Sequence, residues 1–161
     1  MKRYSPSPPR RWVRPHGRIP LFHAVPTRQR ADGWTPERQA RFIGFLAETR
    51  SVTEAARRVS MARETAYRLR ERPCAESFTR AWDAALGRPA GAQARGKSHP
   101  PAAPGKRPRK VTNEELGWRV GTGLWQVRIY RGRFVGVMRK PDNTALLRLL
   151  ARLDRACGEA Q

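Results

Sequence analysis

SVTEAARRVSMARETAYRLR, residues 51–70, reads as two short helices with a tight break between them. Ser51-Val52-Thr53-Glu54 has the form of a capping box: serine caps the helix start, and a glutamate three residues on reaches back to the cap amide. Val52, Ala55, Ala56 and Val59 then recur at the spacing of one helix face. Two alanines on that face let a crossing helix come close. The break is Ser60-Met61-Ala62, and a second helix runs from Arg63 to about Arg70, where Pro73 soon stops it. Its inward residues are Ala66 and Leu69, anchored by Met61. Its outward residues are Arg63, Glu64, Tyr67 and Arg68, with Thr65 on the flank and Arg70 and Arg72 extending the basic surface.

Two helices bracket this pair. Upstream, Thr35-Pro36-Glu37 supplies a cap, a proline suited to the first helical position and an acid at the positive end of the dipole. Phe42, Phe45, Leu46 and Thr49 give that helix an aromatic core face, with Ile43 beside it. Downstream, Phe78, Trp82 and Leu86 stand four apart on a helix from about Ala75 to Leu86, which Gly87 ends.

The formal charge of the 161-residue chain is +21, which calls for a polyanionic partner or an acidic surface. Composition divides the chain into four. Residues 1–33 are basic and proline-rich and read as a disordered arm, because they hold too little apolar surface to offset their ordering entropy. Residues 34–86 are the helical domain. Residues 87–110 read as a flexible basic linker, and residues 111–161 as a second small unit. No apolar run approaches the roughly 20 residues of a spanning helix, so the expectation is a cytoplasmic, nucleoid-associated protein with no membrane partner. Cys74 and Cys157 form no metal-binding spacing, and His16, His23 and His99 lie in proline-rich sequence. No metal site, no cofactor and no catalytic residue is expected: there is no phosphate loop, carboxylate cluster or Cys–His pairing.

In the last unit, WQVRIYRGRFVGVMRK predicts a β-hairpin turning at Arg131-Gly132. Pairing straight across the turn sets Ile129 opposite Phe134, Val127 opposite Gly136 and Trp125 opposite Met138, with all six on one face. Val120 is a candidate for a short third strand. Pro141-Asp142-Asn143-Thr144 starts a helix to about Cys157, whose stripe of Leu146, Leu149, Leu150 and Leu153 is expected to lie on the Trp125 face. This ββα unit is either a packing or dimerisation module, or a basic ribbon that enters a DNA groove through Arg128, Tyr130 and Arg133.

Residues 51–70 resemble the helix-turn-helix of small bacterial homeodomain-like DNA-binding proteins, a pattern shared by phage terminase small subunits and resolvase-type DNA-binding domains. The resemblance rests on small Ala56, the turn at Ser60, apolar Met61, and Ala66 and Leu69, and extends to about residues 34–86. Ser60 stands where the pattern usually has glycine, and Ala62 where it has a serine or threonine cap. The resemblance implies DNA as partner, read by Arg63, Glu64, Thr65, Tyr67, Arg68, Arg70 and Arg72, and allows a homo-oligomer. The expected fold class is mainly α: a helix-turn-helix bundle of about four helices plus the small ββα unit, with a disordered basic arm and linker. The expected role is transcription regulation, without enzymatic activity. The alternatives are DNA packaging or assembly, as in a terminase small subunit, and an RNA- or protein-binding module.

Overall fold

The computed structural model describes residues 18–28, 30–88 and 110–158. They form, in chain order, β1 (Phe22–His23), α1 (Pro36–Thr49), α2 (Val52–Arg58), α3 (Arg63–Arg70), α4 (Glu76–Ala85), α5 (Asn113–Thr122), β2 (Leu124–Tyr130), β3 (Arg133–Lys140) and α6 (Asn143–Gly158). The fold is mainly helical, with one small antiparallel sheet in the order β1-β2-β3.

Local signals set the first four helices. The Thr35 hydroxyl accepts the Arg38 N–H at 3.2 Å, and Pro36 opens α1. Arg50 ends α1 in the left-handed conformation (φ 57°), its N–H returning to the Leu46 carbonyl. Ser51 caps α2 by accepting the Glu54 N–H at 3.4 Å, but the reciprocal half of the capping box is not made. The Ser51 N–H goes to the Thr49 hydroxyl, and the Glu54 carboxylate turns outward to the Arg57 and Arg58 guanidiniums. Hydrogen bonds from Arg57 and then Arg58 hold that carboxyl down at about 2, since guanidinium donors favour the ionised form.

The core is aromatic. Phe22, Phe42, Phe78 and Trp82 are all fully buried, with Phe42 centred 4.9 Å from Trp82 and Phe22 meeting Phe78 edge-on at 5.8 Å. Phe22 therefore corrects the reading of residues 1–33 as a disordered arm. Ile19, Phe22, Ala24 and Val25 are buried, and β1 pairs with β2 through Phe22 opposite Trp125. Buried Gln39 of α1 clamps this segment, accepting the Val25 N–H at 2.7 Å and donating to the Val25 and Trp34 carbonyls. The segment has too few apolar residues to fold alone, yet Phe22 finds Phe78 and Trp125 on distant elements, while Leu21 stays exposed. Residues 1–17 of the expected arm and 89–109 of the expected linker lie outside the described residues.

The expected separation of residues 34–86 from 111–161 is corrected in the same way. Trp125 and Val127 of β2 belong to the same buried cluster as α1 and α4. Phe134 packs on Phe45 at 4.8 Å and over Gly44, where a Cβ would overlap its ring. Glu48 of α1 accepts the Phe134 N–H at 2.9 Å. Glycine at position 44 is thus a packing requirement of the hairpin, not a flaw in α1.

The hairpin turns at Arg131-Gly132, both at positive φ, and Ile129 faces Phe134 as expected. Beyond that pair the register differs. A bulge at Val135 sets Arg128 opposite Gly136, Val127 opposite Val137 and Trp125 opposite Arg139. One extra residue flips every later side chain of β3. Val137 packs against the core, while Met138 and Val135 are exposed.

Val120 lies not in a strand but in α5. Thr112 caps that helix by accepting the Glu115 N–H at 3.2 Å, and Glu114 and Glu115 occupy the first turn. The third strand is β1. The leucine stripe of α6 is also corrected. Ala145 is buried and Leu149 half-buried where α6 packs on α5, while Leu146, Leu150 and Leu153 stay exposed.

Asp142 ties this helix pair to the rest. Its Oδ1 accepts the Ala145 N–H at 3.0 Å, capping α6, and its Oδ2 lies 2.7 Å from His23 Nε2. Burial pushes the Asp142 carboxyl up. The hydrogen bonds from Ala145 and His23, with the charges of His23 and Arg119, outweigh burial and leave it below its ordinary value. Asp142→Ala is expected to cost about 1–2 kcal/mol, the range for a lost cap. A depressed carboxyl stabilises above its unfolded pKa of about 4 and ceases to do so as pH falls through the folded value. The stability gap between parent and variant, measured by urea denaturation, should therefore close under acid. A gap that is equal at neutral and strongly acid pH would sink this assignment.

Candidate nucleic-acid interface

The turn between α2 and α3 puts Ser60 at φ 57°, the left-handed conformation that glycine usually takes. The Met61 N–H returns to the Ala56 carbonyl at 2.9 Å, so the chain reverses within one turn. Ala55 and Ala56 of α2 and Ala66 and Leu69 of α3 are buried. Ala62 gives α3 no side-chain cap, and the Thr65 hydroxyl instead donates back to the Ala62 carbonyl at 2.6 Å.

The candidate residues separate by what already holds them. Arg63 is exposed, with Glu64 3.6 Å away as its ion partner. Arg68 is exposed and has no ion pair or hydrogen bond among the described residues. Tyr67 tilts its ring toward Trp82 at 5.7 Å and remains exposed. The remaining three have internal roles. Thr65 accepts the Trp34 indole N–H at 3.1 Å. Arg70 donates from Nη2 to both Asp83 carboxylate oxygens, at 2.9 and 3.2 Å, and stacks over Trp82. Arg72 donates to the Pro26 carbonyl at 3.1 Å. The outward surface of α3 is thus Arg63, Glu64, Tyr67 and Arg68, and Arg70 bolts α3 to α4.

Two cations missed on α3's flank come from the segment read as an arm. Trp34 bonded to Thr65 and Pro26 bonded to Arg72 bring the loop between them alongside α3. Thr27 closes that loop on the Trp34 carbonyl at 2.8 Å. Arg28 and Arg30 in it are exposed and unpaired among the described residues. Their signal in the sequence was the basic charge itself, without a means to place it. Elsewhere Arg41 pairs with Glu37, Arg57 with Glu54, and Arg58 with Glu48 and Glu54, while Arg18, Arg80, Arg128, Arg133 and Arg148 are exposed with no ion pair or hydrogen bond among the described residues.

On the hairpin, Arg128, Tyr130 and Arg133 are exposed, with Arg131 stacked over Tyr130. Alternation along β2 sets Arg128 and Tyr130 on the side opposite core-facing Val127 and Ile129. Among the described residues no three His, Cys, Asp or Glu side chains gather as a metal set, and no helix is long and apolar enough to cross a membrane.

An exposed guanidinium can fork onto a phosphate or onto the O6 and N7 of guanine, and a half-exposed tyrosine can bond a phosphate. No family model matches the chain, and no curated protein or solved structure is significantly similar to it.

Proposed function

We propose that the chain is a sequence-preferring DNA-binding protein in which α2, its turn and α3 act as a helix-turn-helix. In this reading α3 enters the major groove and Arg63 and Arg68 read base edges, with Tyr67 on phosphate. The observation that carries the reading is selective exposure. α3 keeps Arg63 and Arg68 in solvent, while the arginine at its end, Arg70, is consumed by Asp83. Arg28 and Arg30 supply phosphate contacts beside α3. Residues 1–17 and 89–109 hold ten further Lys or Arg and no Asp or Glu, and they add salt-sensitive affinity. Transcription regulation is the role proposed.

The test is selection of the full chain on a random duplex pool, followed by sequencing. A defined motif is expected. A pool that stays random while binding follows only the salt concentration would refute sequence reading. A closed ring of subunits in solution would favour a packaging role over regulation.

A further inference from the structure

Four leucines of α6 stand in solvent: Leu146 at 39%, Leu147 at 67%, Leu150 at 46% and Leu153 at 47% exposure. A cluster of this kind on one helix is a contact surface, not scatter. Leu146, Leu150, Leu153 and Cys157 follow one another at intervals of four, three and four residues, the spacing of a coiled-coil seam. The side of α6 that packs on α5 is a different one, carrying Ala145 and Arg152. Arg152 is fixed there by the Val111 carbonyl at 2.7 Å and Asn113.

Other parts of this chain are poorly suited to cover the seam. Residues 89–109 and 159–161 contain no Leu, Ile, Val, Met or aromatic residue. Residues 1–17 offer Met1, Tyr4, Trp12 and Val13 among prolines and arginines, with no helical apolar spacing. Charge bears on the remaining occupants. The helical period puts Arg148 and Arg155 on the side opposite the seam, and the charged residue bordering it is Asp154. A helix lying on an anionic membrane is rich in Lys and Arg over its polar face, and an acid at the edge of its apolar face works against binding. A second copy of a chain at +21 needs the reverse, a contact free of Lys and Arg. The seam meets that need.

We propose that α6 pairs with α6 of a second copy through Leu146, Leu150, Leu153 and Cys157, giving a two-fold homodimer. The inference is independent of the DNA-binding reading. Sedimentation equilibrium of the full chain, nucleic-acid-free and from micromolar to submillimolar concentration, tests it. A reversible monomer–dimer equilibrium is expected. Leu150→Asp enters a two-fold interface twice and should raise the dimer dissociation constant about a hundredfold. Arg148→Ala, on the opposite side, should leave it unchanged. Because Leu150 is exposed, the Asp variant should keep the parent's circular dichroism and, at concentrations where both are monomeric, its melting temperature, which separates lost pairing from lost folding. A chain that remains monomeric throughout, or a dimer indifferent to Leu150→Asp, overturns the proposal. So does a monomeric chain that binds phosphatidylserine vesicles through Leu150, which would assign the face to lipid.

Discussion

Trp82→Ala is expected to lower the unfolding free energy by about 3–5 kcal/mol, a large share of the roughly 5–15 kcal/mol of a typical domain. Trp82 is fully buried and touches Phe42 at 4.9 Å and Phe78 at 6.0 Å, so its removal opens a cavity at the centre of the aromatic core. It also backs α3, with Tyr67 against its ring and the Arg70 guanidinium over it. The variant should therefore lose DNA affinity even at temperatures where it stays folded, because Tyr67 loses its backing and Arg70 keeps only Asp83 to hold α3 at its angle. Trp82→Phe retains most of the apolar volume and should recover part of both losses. Urea denaturation and duplex binding measure the two effects. A loss below about 1 kcal/mol would mean that the core is not organised around this ring.

The two effects also mark what could be read along the chain. α1 to α4 were legible because their signals are local: Thr35-Pro36, the Ser51 cap, and the apolar spacing from Val52 to Leu69 each act within a few residues. The place of Phe22 was not legible. Its burial depends on Phe78 and on pairing with Trp125, and nothing near Phe22 announces either partner. The hairpin turn was readable from Arg131-Gly132, but the Val135 bulge was not, since the apolar run from Phe134 to Met138 reads the same in both registers. α5 does carry a local signal, Thr112 with acids at 114 and 115, but it directly follows the basic linker, whose charge masks it. Periodicity put Leu149 in one stripe with Leu146, Leu150 and Leu153, whereas Leu149 is half-buried and the other three are exposed; what each faces is tertiary. The same division runs through the site. Exposure of Arg63 and Arg68 follows from helix phase. The capture of Thr65 by Trp34 and of Arg70 by Asp83 is tertiary.

Arg63→Ala/Arg68→Ala is expected to abolish recognition of a selected motif while leaving weak, salt-sensitive binding. α3 is only eight residues long, about 12 Å, so few side chains can reach base edges. Of its arginines, only these two are exposed and uncommitted to the fold, and each bidentate base contact is worth about 1–3 kcal/mol of discrimination. Each arginine should thus account for about 10- to 100-fold of specific affinity. Glu64, now 3.6 Å from Arg63, would lose its ion partner, but an exposed pair of this kind contributes little to stability. The melting temperature should therefore hold. Arg28→Ala/Arg30→Ala should behave differently, weakening all sequences alike and reducing the salt slope by about one for each phosphate no longer neutralised. Arg70→Ala should destabilise the fold by breaking the Asp83 pair, with no change in which bases are preferred. Anisotropy titrations of the three variants against the selected duplex and a scrambled one, at two salt concentrations, separate these outcomes. If the Arg63/Arg68 variant binds the selected duplex as tightly as the parent, α3 is scaffold and the positive charge is general affinity. If the loss is equal on both duplexes, the two arginines hold phosphate and the bases are read elsewhere, with the exposed Arg128, Tyr130 and Arg133 of the hairpin next to be tested.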